Sequence, residues 1–308
     1  MRILFMGTPD FARANLQALC DKGMEVVGVV TPQDKPKGRG LTLTPCDVKK
    51  YALEKGLPVY QPLTLKDGAF LDTLKELDPE LIVVVAYGKI LPKYVLDYPK
   101  YGCINCHASI LPEYRGAAPI QRAIIDGKTE TGVSIQRMDI GIDTGDVICV
   151  EKVTIEPSDD FEAVHDKLAV ASSKGLLKAV QLLSDGKATY TPQGDEFTYA
   201  EKITKDDCYI DFNGAVNDVH NRIRGLSPIP LSFTRTADGK VLKIVKAHIS
   251  DKSANGKIGE VVFLDSSIHV KCKDGVIALD IIVPEGKGRM NARDLINGRK
   301  IAVGDILG

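Results

Sequence analysis

The run Leu81-Ile-Val-Val-Val-Ala86 constrains the fold of this chain more than any other stretch. An unbroken, valine-rich apolar run of strand length shows no alternation, so both of its faces are covered. Strands covered on both faces belong to parallel sheets flanked by helices. The rest of the front half supplies matching pieces. Arg2 to Met6 reads as a strand, and Gly7-Thr-Pro-Asp10 as a turn in which Asp10 can cap a helix over Phe11 to Cys20, with Gly23 past its end. Met24 to Val30 is a second strand, Cys103 to Cys106 a short later one, and Thr131 to Gln136 and Val147 to Ile155 two more. Gly116 to Ile125 reads as a helix with Pro119 in its first turn. Asp159 to Leu183 is a long helical stretch with a candidate break at Gly175. The alternation predicts a doubly wound, Rossmann-like α/β domain with a mostly parallel sheet. The Gly7-Thr-Pro9 turn lacks G-x-G-x-x-G spacing and Pro9 removes a backbone donor, so no dinucleotide site is expected there.

In such a sheet ligands bind just beyond the carboxyl ends of the strands. The run Cys103-Ile-Asn-Cys-His-Ala-Ser-Ile-Leu-Pro112 ends a strand on polar groups. Asn105 and His107 stand two apart in extended chain, so both side chains point to one side. An amide that stabilises an oxyanion beside an imidazole that moves a proton is what acyl transfer needs. Downstream, Asp139-Ile-Gly-Ile-Asp143-Thr-Gly-Asp146 is an acidic, glycine-turned loop at another strand end, too short for an EF-hand. One of its carboxylates set against His107 would orient the imidazole and stabilise the imidazolium. Ser109 lies near His107 but outside any G-x-S-x-G elbow, which argues against a serine hydrolase. Cys103 and Cys106 have C-x-x-C spacing without a second pair, and they read as small hydrophobes rather than a redox or zinc motif.

At 308 residues the chain has room for two domains, and its 44% hydrophobic and 26% charged residues fit a soluble globular protein. No run approaches a membrane span, and Met1 leads straight into an apolar strand without a presequence. A cytoplasmic location is expected, with seven scattered cysteines kept as thiols.

Residues 31–45 form a long insertion with three prolines and the cations Lys35, Lys37 and Arg39. Cations on a flexible loop beside the ligand edge of a sheet suit phosphates, although a solvated surface loop has the same composition. Residues 186–206 are polar and read as a linker. Beyond it, Asp211 to Arg224 carries helical spacing, and short strands follow at Val241 to Val245, Gly259 to Leu264, Ser267 to Lys271 and Gly275 to Ile282. That pattern suggests a small OB-like β-barrel. The expected division is 1–188 catalytic domain, 189–207 linker and 208–308 C-terminal domain. Residues 208–308 carry 15 Lys and Arg against 11 Asp and Glu, while the rest of the chain has 25 against 30. A mildly basic tail beside an acidic front hints at a polyanionic partner.

Taken together, several stretches closely resemble the folate-dependent formyltransferases. They are Asn105-x-His107, Ser109-Ile-Leu-Pro112, Tyr114-Arg-Gly-Ala-Ala-Pro119 and an aspartate 36 residues beyond the histidine, which is Asp143. Gly7-Thr-Pro-Asp-Phe-Ala12, Asp34-Lys-Pro-Lys-Gly-Arg-Gly40, Glu54 to Pro62, Ala86-Tyr-Gly-Lys-Ile-Leu-Pro92 and Thr198 to Lys202 extend the likeness over nearly the full length. The resemblance implies formyl transfer from 10-formyltetrahydrofolate, with Asn105, His107 and Asp143 as the catalytic trio and no metal. The acceptor implied is the α-amino group of methionine on initiator methionyl-tRNA. The folate would lie along Ser109, Ile110, Leu111 and Pro112, with the backbone of Lys89, Ile90 and Leu91 and the loop before Asp143 around its pterin. The insertion, through Lys35, Lys37 and Arg39, would reach the acceptor end of the tRNA, and the C-terminal barrel would hold its stem. The resemblance also suggests a monomer. Ala108 stands where the family usually has Gly, Tyr114 where Trp is common, and Leu226-Ser-Pro-Ile-Pro-Leu231 where Asn-Pro-Trp-Pro is usual. The competing acceptor is a small amine such as that of an amino-sugar nucleotide or glycinamide ribonucleotide, which needs neither the basic insertion nor the basic tail. A purely nucleic-acid-binding protein would leave the Asn105, His107 and Asp143 grouping without a purpose.

Overall fold

The computed structural model describes residues 1–37 and 42–308. The chain forms two compact units. The first comprises Met1–Gly116, Thr131–Val153 and His165–Tyr199, and the second Ala117–Glu130, Thr154–Val164 and Ala200–Gly308.

The first unit is built on a seven-stranded sheet. Its order is Val147–Thr154, Glu130–Arg137, Cys103–His107, Leu81–Val85, Ile3–Gly7, Val26–Val30 and Val59–Tyr60. The strands from Cys103–His107 to Val59–Tyr60 pair in parallel, and Glu130–Arg137 lies antiparallel to Cys103–His107. Leu81–Val85 sits mid-sheet with every residue buried, as a run without alternation requires. Ile3, Leu4, Phe5 and Met6 beside it are also completely buried. The helix Asp10–Asp21 covers one face with Phe11, Ala12, Leu16 and Leu19. Its buried Asn15 donates to the Phe11 carbonyl at 2.9 Å and accepts from the Ser172 hydroxyl at 2.9 Å, so this core amide is satisfied inside the fold.

Three local expectations change. Asp10 is the first helical residue and not the cap. Pro9 occupies the cap position, and the Asp10 carboxylate accepts the neighbouring Phe11 N–H. Gly175 does not break its helix, which runs unbroken over Phe161–Ser184. A Cβ there would come within 3.2 Å of Glu151 Cγ and 3.3 Å of Ile135 Cγ1, so the glycine allows close helix-on-sheet packing. The insertion contains regular structure, because Lys35–Lys37 pairs antiparallel with Thr42–Thr44. The base of this hairpin is tied down by Asp34, whose carboxylate accepts from Lys49 Nζ at 2.7 Å and Gln61 Nε2 at 3.0 Å. Those two donors, Lys49 foremost, hold the Asp34 carboxyl below its ordinary range.

The second unit holds an antiparallel sheet ordered Ser232–Arg235, Val241–Ile249, Val276–Pro284, Ile268–Lys271 and Val261–Leu264, with Met290–Asn291 against Val276–Pro284. Among the described residues no pairing joins the two ends of this path, so the closed barrel of the sequence reading is not seen as such. Its core gathers Ile210, Phe212, Ile223, Leu242, Ile277 and Leu279 among others. The helices Pro119–Ile125 and Val216–Gly225 touch within this unit, where a Cβ on Gly225 would meet Ile125 Cγ1 at 2.9 Å. Arg122 Nη1 donates to Asp207 Oδ1 at 2.8 Å, which ties the first of these helices to the turn Asp206–Cys208. Arg122, together with donors from Thr204, pulls the Asp207 carboxyl down to about 2.

Candidate functional site

Asn105 and His107 share the strand Cys103–His107, and Asp143 is brought to them by the loop that follows Glu130–Arg137. Asn105 Nδ2 donates to Asp143 Oδ1 at 3.3 Å, and His107 Nδ1 lies 3.5 Å from Asp143 Oδ2. Of the three aspartates on the loop, Asp143 is thus the one against the histidine. Asp139 turns back on the loop itself, accepting from the Gly141 N–H at 3.0 Å and the Thr144 hydroxyl at 2.6 Å.

The position of Asp143 depends on backbone as much as side chain. Its φ is +54°, in the left-handed region that aspartate tolerates better than most residues. Gly145 lets the loop fold back, since a Cβ there would lie 1.7 Å from the Arg137 carbonyl oxygen. The carboxylate then meets donors on both oxygens. Oδ1 accepts from Gln136 Nε2 at 2.9 Å as well as from Asn105, and Oδ2 accepts from the Gly116 N–H at 2.9 Å. Gln136 faces Asn105 directly across the antiparallel pair.

His107 is buried, and its Nε2 lies 2.8 Å from the Tyr114 carbonyl. A carbonyl only accepts, so Nε2 carries the hydrogen. When the ring is neutral its lone pair is therefore on Nδ1, the nitrogen facing Asp143. Tyr114 delivers that carbonyl from a left-handed backbone, φ +59°, while its own N–H donates to the Thr198 hydroxyl at 2.8 Å. The result is an acceptor-donor array around one point. It contains an amide N–H, an imidazole nitrogen whose tautomer is fixed, and a carboxylate able to hold an imidazolium.

The other sequence candidates are distributed as follows. Ser109 is completely buried, and its hydroxyl donates to the Glu113 carbonyl at 2.6 Å, which makes it a brace of the turn that leaves the strand. Leu111 is buried, while Ile110 and Pro112 are half-buried. Leu111 and Pro112 line a cavity of about 360 Å³ with Val147, Cys149, Pro192 and Gln193. Lys89 Nζ donates to the carbonyls of Pro62 and Leu63, each at 3.1 Å. Ile90 is 75% exposed, whereas Leu91 is packed in a core with Tyr87 and Val95. Lys35 and Lys37 lie on one strand of the hairpin, Lys35 exposed, and Arg39 falls outside the described residues. Cys103 and Cys106 are buried free thiols, and burial pushes Cys106 up to about 12, in keeping with a packing role.

Three participants were absent from the sequence candidates: Gln136, the Tyr114 carbonyl and Gln193, whose Nε2 donates to the Asp143 carbonyl at 2.9 Å. Gln136 lay in the predicted strand, where Thr131 and Ser134 are also polar, and only the strand register sets it against Asn105. Gln193 lay in a polar stretch without any local signal.

A family model described as formyl transferase matches residues 1–180, and one described as formyl transferase, C-terminal domain, matches residues 202–300. The chain belongs to the formyl transferase family. Methionyl-tRNA formyltransferases are among its relatives. That of Geotalea uraniireducens is 43% identical over 310 residues, covering 100% of this chain and 98% of the relative. That of Caldanaerobacter subterraneus subsp. tengcongensis is 45% identical over 309 residues, covering all of both. Among solved structures, WlaRD, a sugar 3N-formyl transferase, aligns with a TM-score of 0.68 at 18% identity over 94% of this chain and 99% of that one. HypX from Aquifex aeolicus, in complex with tetrahydrofolic acid, aligns with a TM-score of 0.66 at 16% identity over 98% of this chain and 48% of that one. These structural likenesses concern the fold.

Proposed function

We propose that this chain transfers the formyl group of 10-formyltetrahydrofolate to the α-amino group of methionine on initiator methionyl-tRNA, supplying formylated initiator for translation. The observation that carries this reading is the full-length identity of 40–45% to methionyl-tRNA formyltransferases. The grouping of Asn105, His107 and Asp143 supports the chemistry. The amine nitrogen attacks the formyl carbon and a new C–N bond forms. The formyl oxygen becomes an oxyanion that Asn105 Nδ2 and the protonated His107 stabilise. The C–N10 bond then breaks. The His107 imidazolium gives its Nδ1 proton to N10 of the departing tetrahydrofolate, and the neutral ring, oriented by Asp143, then takes up the proton that the amine releases. The formyl donor is already an activated amide, so the step as proposed uses no metal. Asp143, held by three donors, stabilises the imidazolium and keeps its orientation.

The folate is assigned to the surface formed by Ile110, Leu111 and Pro112 beyond the buried Ser109, with the backbone of Lys89, Ile90 and Leu91 around the pterin. The insertion with Lys35, Lys37 and Arg39 is assigned to the acceptor end of the tRNA. Residues 1–188 are the catalytic domain on this reading, 189–207 the connection and 208–308 an OB-like tRNA-binding domain. The family matches at 1–180 and 202–300 support that division. The protein works as a cytoplasmic monomer. Among the described residues no helix is long and apolar enough to cross a membrane.

The test is transfer of labelled formyl from 10-formyltetrahydrofolate, with charged initiator methionyl-tRNA, uncharged tRNA, free methionine and an amino-sugar nucleotide as parallel acceptors. Product with the charged tRNA alone is expected. Product with the amino-sugar nucleotide in place of the tRNA would overturn the acceptor assignment.

A further inference from the structure

The stretch 191–199 is anchored around the site at three places. Thr191 exchanges two backbone hydrogen bonds with Val147, both 2.9 Å. Thr198 accepts from the Tyr114 and Arg115 N–H groups through its hydroxyl and carbonyl. Between them stands Gln193. Its Nε2 donates to the Asp143 carbonyl at 2.9 Å and to the Gly145 carbonyl at 2.7 Å. Its Oε1 accepts from Arg115 Nε at 2.9 Å.

The orientation of this amide follows from its partners. Arg115 can only donate and the two carbonyls can only accept, so oxygen and nitrogen are assigned without ambiguity. Arg115 is buried and its guanidinium lies over the Phe197 ring at 4.5 Å, which fixes the donor that orients the amide. Gln193 grips the backbone on both sides of Thr144, in the segment where Asp143 adopts φ +54°. A left-handed non-glycine residue is strained and persists only where its surroundings hold it. Two donated hydrogen bonds to that segment offset such strain.

We infer that Gln193, oriented by Arg115, is a positioning residue that holds Asp143 against His107 and Asn105. The inference rests on the catalytic reading of Asp143. It makes the residues between the two family matches part of the active-site scaffold. Gln193 touches no reacting atom in this account. It acts by fixing the carbonyls whose positions set where the Asp143 carboxylate stands.

Gln193→Glu is the discriminating substitution. It keeps the shape and the acceptor for Arg115, and it sets a carboxylate oxygen against two carbonyls where an N–H₂ had donated. In the intact protein, kcat is expected to fall about 10- to 100-fold, a change of about 1.4 to 2.8 kcal/mol in barrier. KM for methionyl-tRNA and for the folate should stay within about threefold, the split expected for a change that leaves binding intact. The same substitution in an Asp143→Asn background should cause no further loss, because it acts only through Asp143. Gln193→Met, of similar size without polar atoms, provides the same reading if the Glu variant does not fold. Normal kcat in the variants, or an equal additional loss in the Asp143→Asn background, would overturn the inference. Near-normal kcat in Asp143→Asn alone would instead overturn the catalytic reading beneath it.

Discussion

At the scale of single residues, the site works by excluding alternatives. His107 has two ring nitrogens, and the Tyr114 carbonyl claims one of them. Only Nδ1 is left for chemistry, and it faces a carboxylate. Asn105 has an amide whose Nδ2 reaches Asp143 at 3.3 Å, a long bond that an incoming oxyanion can replace. Among the described residues no second acceptor engages that nitrogen, which leaves its other hydrogen available to the oxyanion of the proposed reaction. Asn105→Ala is therefore expected to lower kcat by about 100- to 1000-fold, the usual result of removing one oxyanion donor. Equilibrium binding of methionyl-tRNA, measured by filter retention, should stay unchanged. A variant with near-normal turnover would remove Asn105 from the mechanism. The pairing of Asn105 with His107 was legible in the sequence because strand periodicity is fixed. The choice of Asp143 over Asp139 and Asp146 was not readable from spacing and came only with the resemblance. It is set by a left-handed backbone and by Gly145 pressed against the Arg137 carbonyl, and neither leaves a periodic trace.

At the scale of elements, long apolar runs were the most readable and short polar connections the least. Leu81–Val85, Ile3–Gly7 and Glu130–Arg137 stand where their patterns put them, because burial on both faces admits few sequences. The pairing of Lys35–Lys37 with Thr42–Thr44 leaves no strand signal in the sequence, since proline and glycine dominate the insertion and the pairing is too short to show alternation. The stretch 191–199 has the composition of a linker for a similar reason. Its order comes from backbone bonds to distant strands, which composition does not encode. The turn at Asp206–Cys208 offers a test of an element-level contact. Arg122 and Thr204 hold the Asp207 carboxyl at about 2, below the value of a free carboxylate. A depressed carboxyl adds stability above its unfolded pKa, near 4, and that contribution disappears as pH falls through the folded value. Asp207→Asn should accordingly lower Tm at pH 7, and the gap to wild type should narrow between about pH 4 and pH 2. Calorimetry across that range decides it. A gap independent of pH would mean that Arg122 contributes packing and not charge.

At the scale of the whole molecule, the two halves divide the charge. Residues 208–308 carry 15 cations against 11 anions, while the rest carries 25 against 30. A folate is small and its recognition by a cleft depends little on ionic strength, but a tRNA arrives as a polyanion wrapped in counterions. Each phosphate neutralised by the protein releases condensed ions, and the logarithm of affinity falls with the logarithm of salt by about 0.7 to 0.9 per contact. The proposed acceptor and the proposed donor should thus respond to salt in different ways. Between 50 and 200 mM KCl, kcat/KM for methionyl-tRNA is expected to fall tenfold or more, the equivalent of roughly two phosphate contacts or above. Over the same range KM for 10-formyltetrahydrofolate should move by less than about twofold, because few charges are screened at that site. Arg39→Ala should make the salt slope for tRNA shallower by about one contact and leave the folate untouched, since a single phosphate partner is lost. Steady-state kinetics at four salt concentrations, with each substrate varied in turn, measures all three quantities. A flat response for the tRNA would mean that the molecule grips its acceptor by the aminoacyl end alone. The basic balance of residues 208–308 would then serve something other than the tRNA backbone.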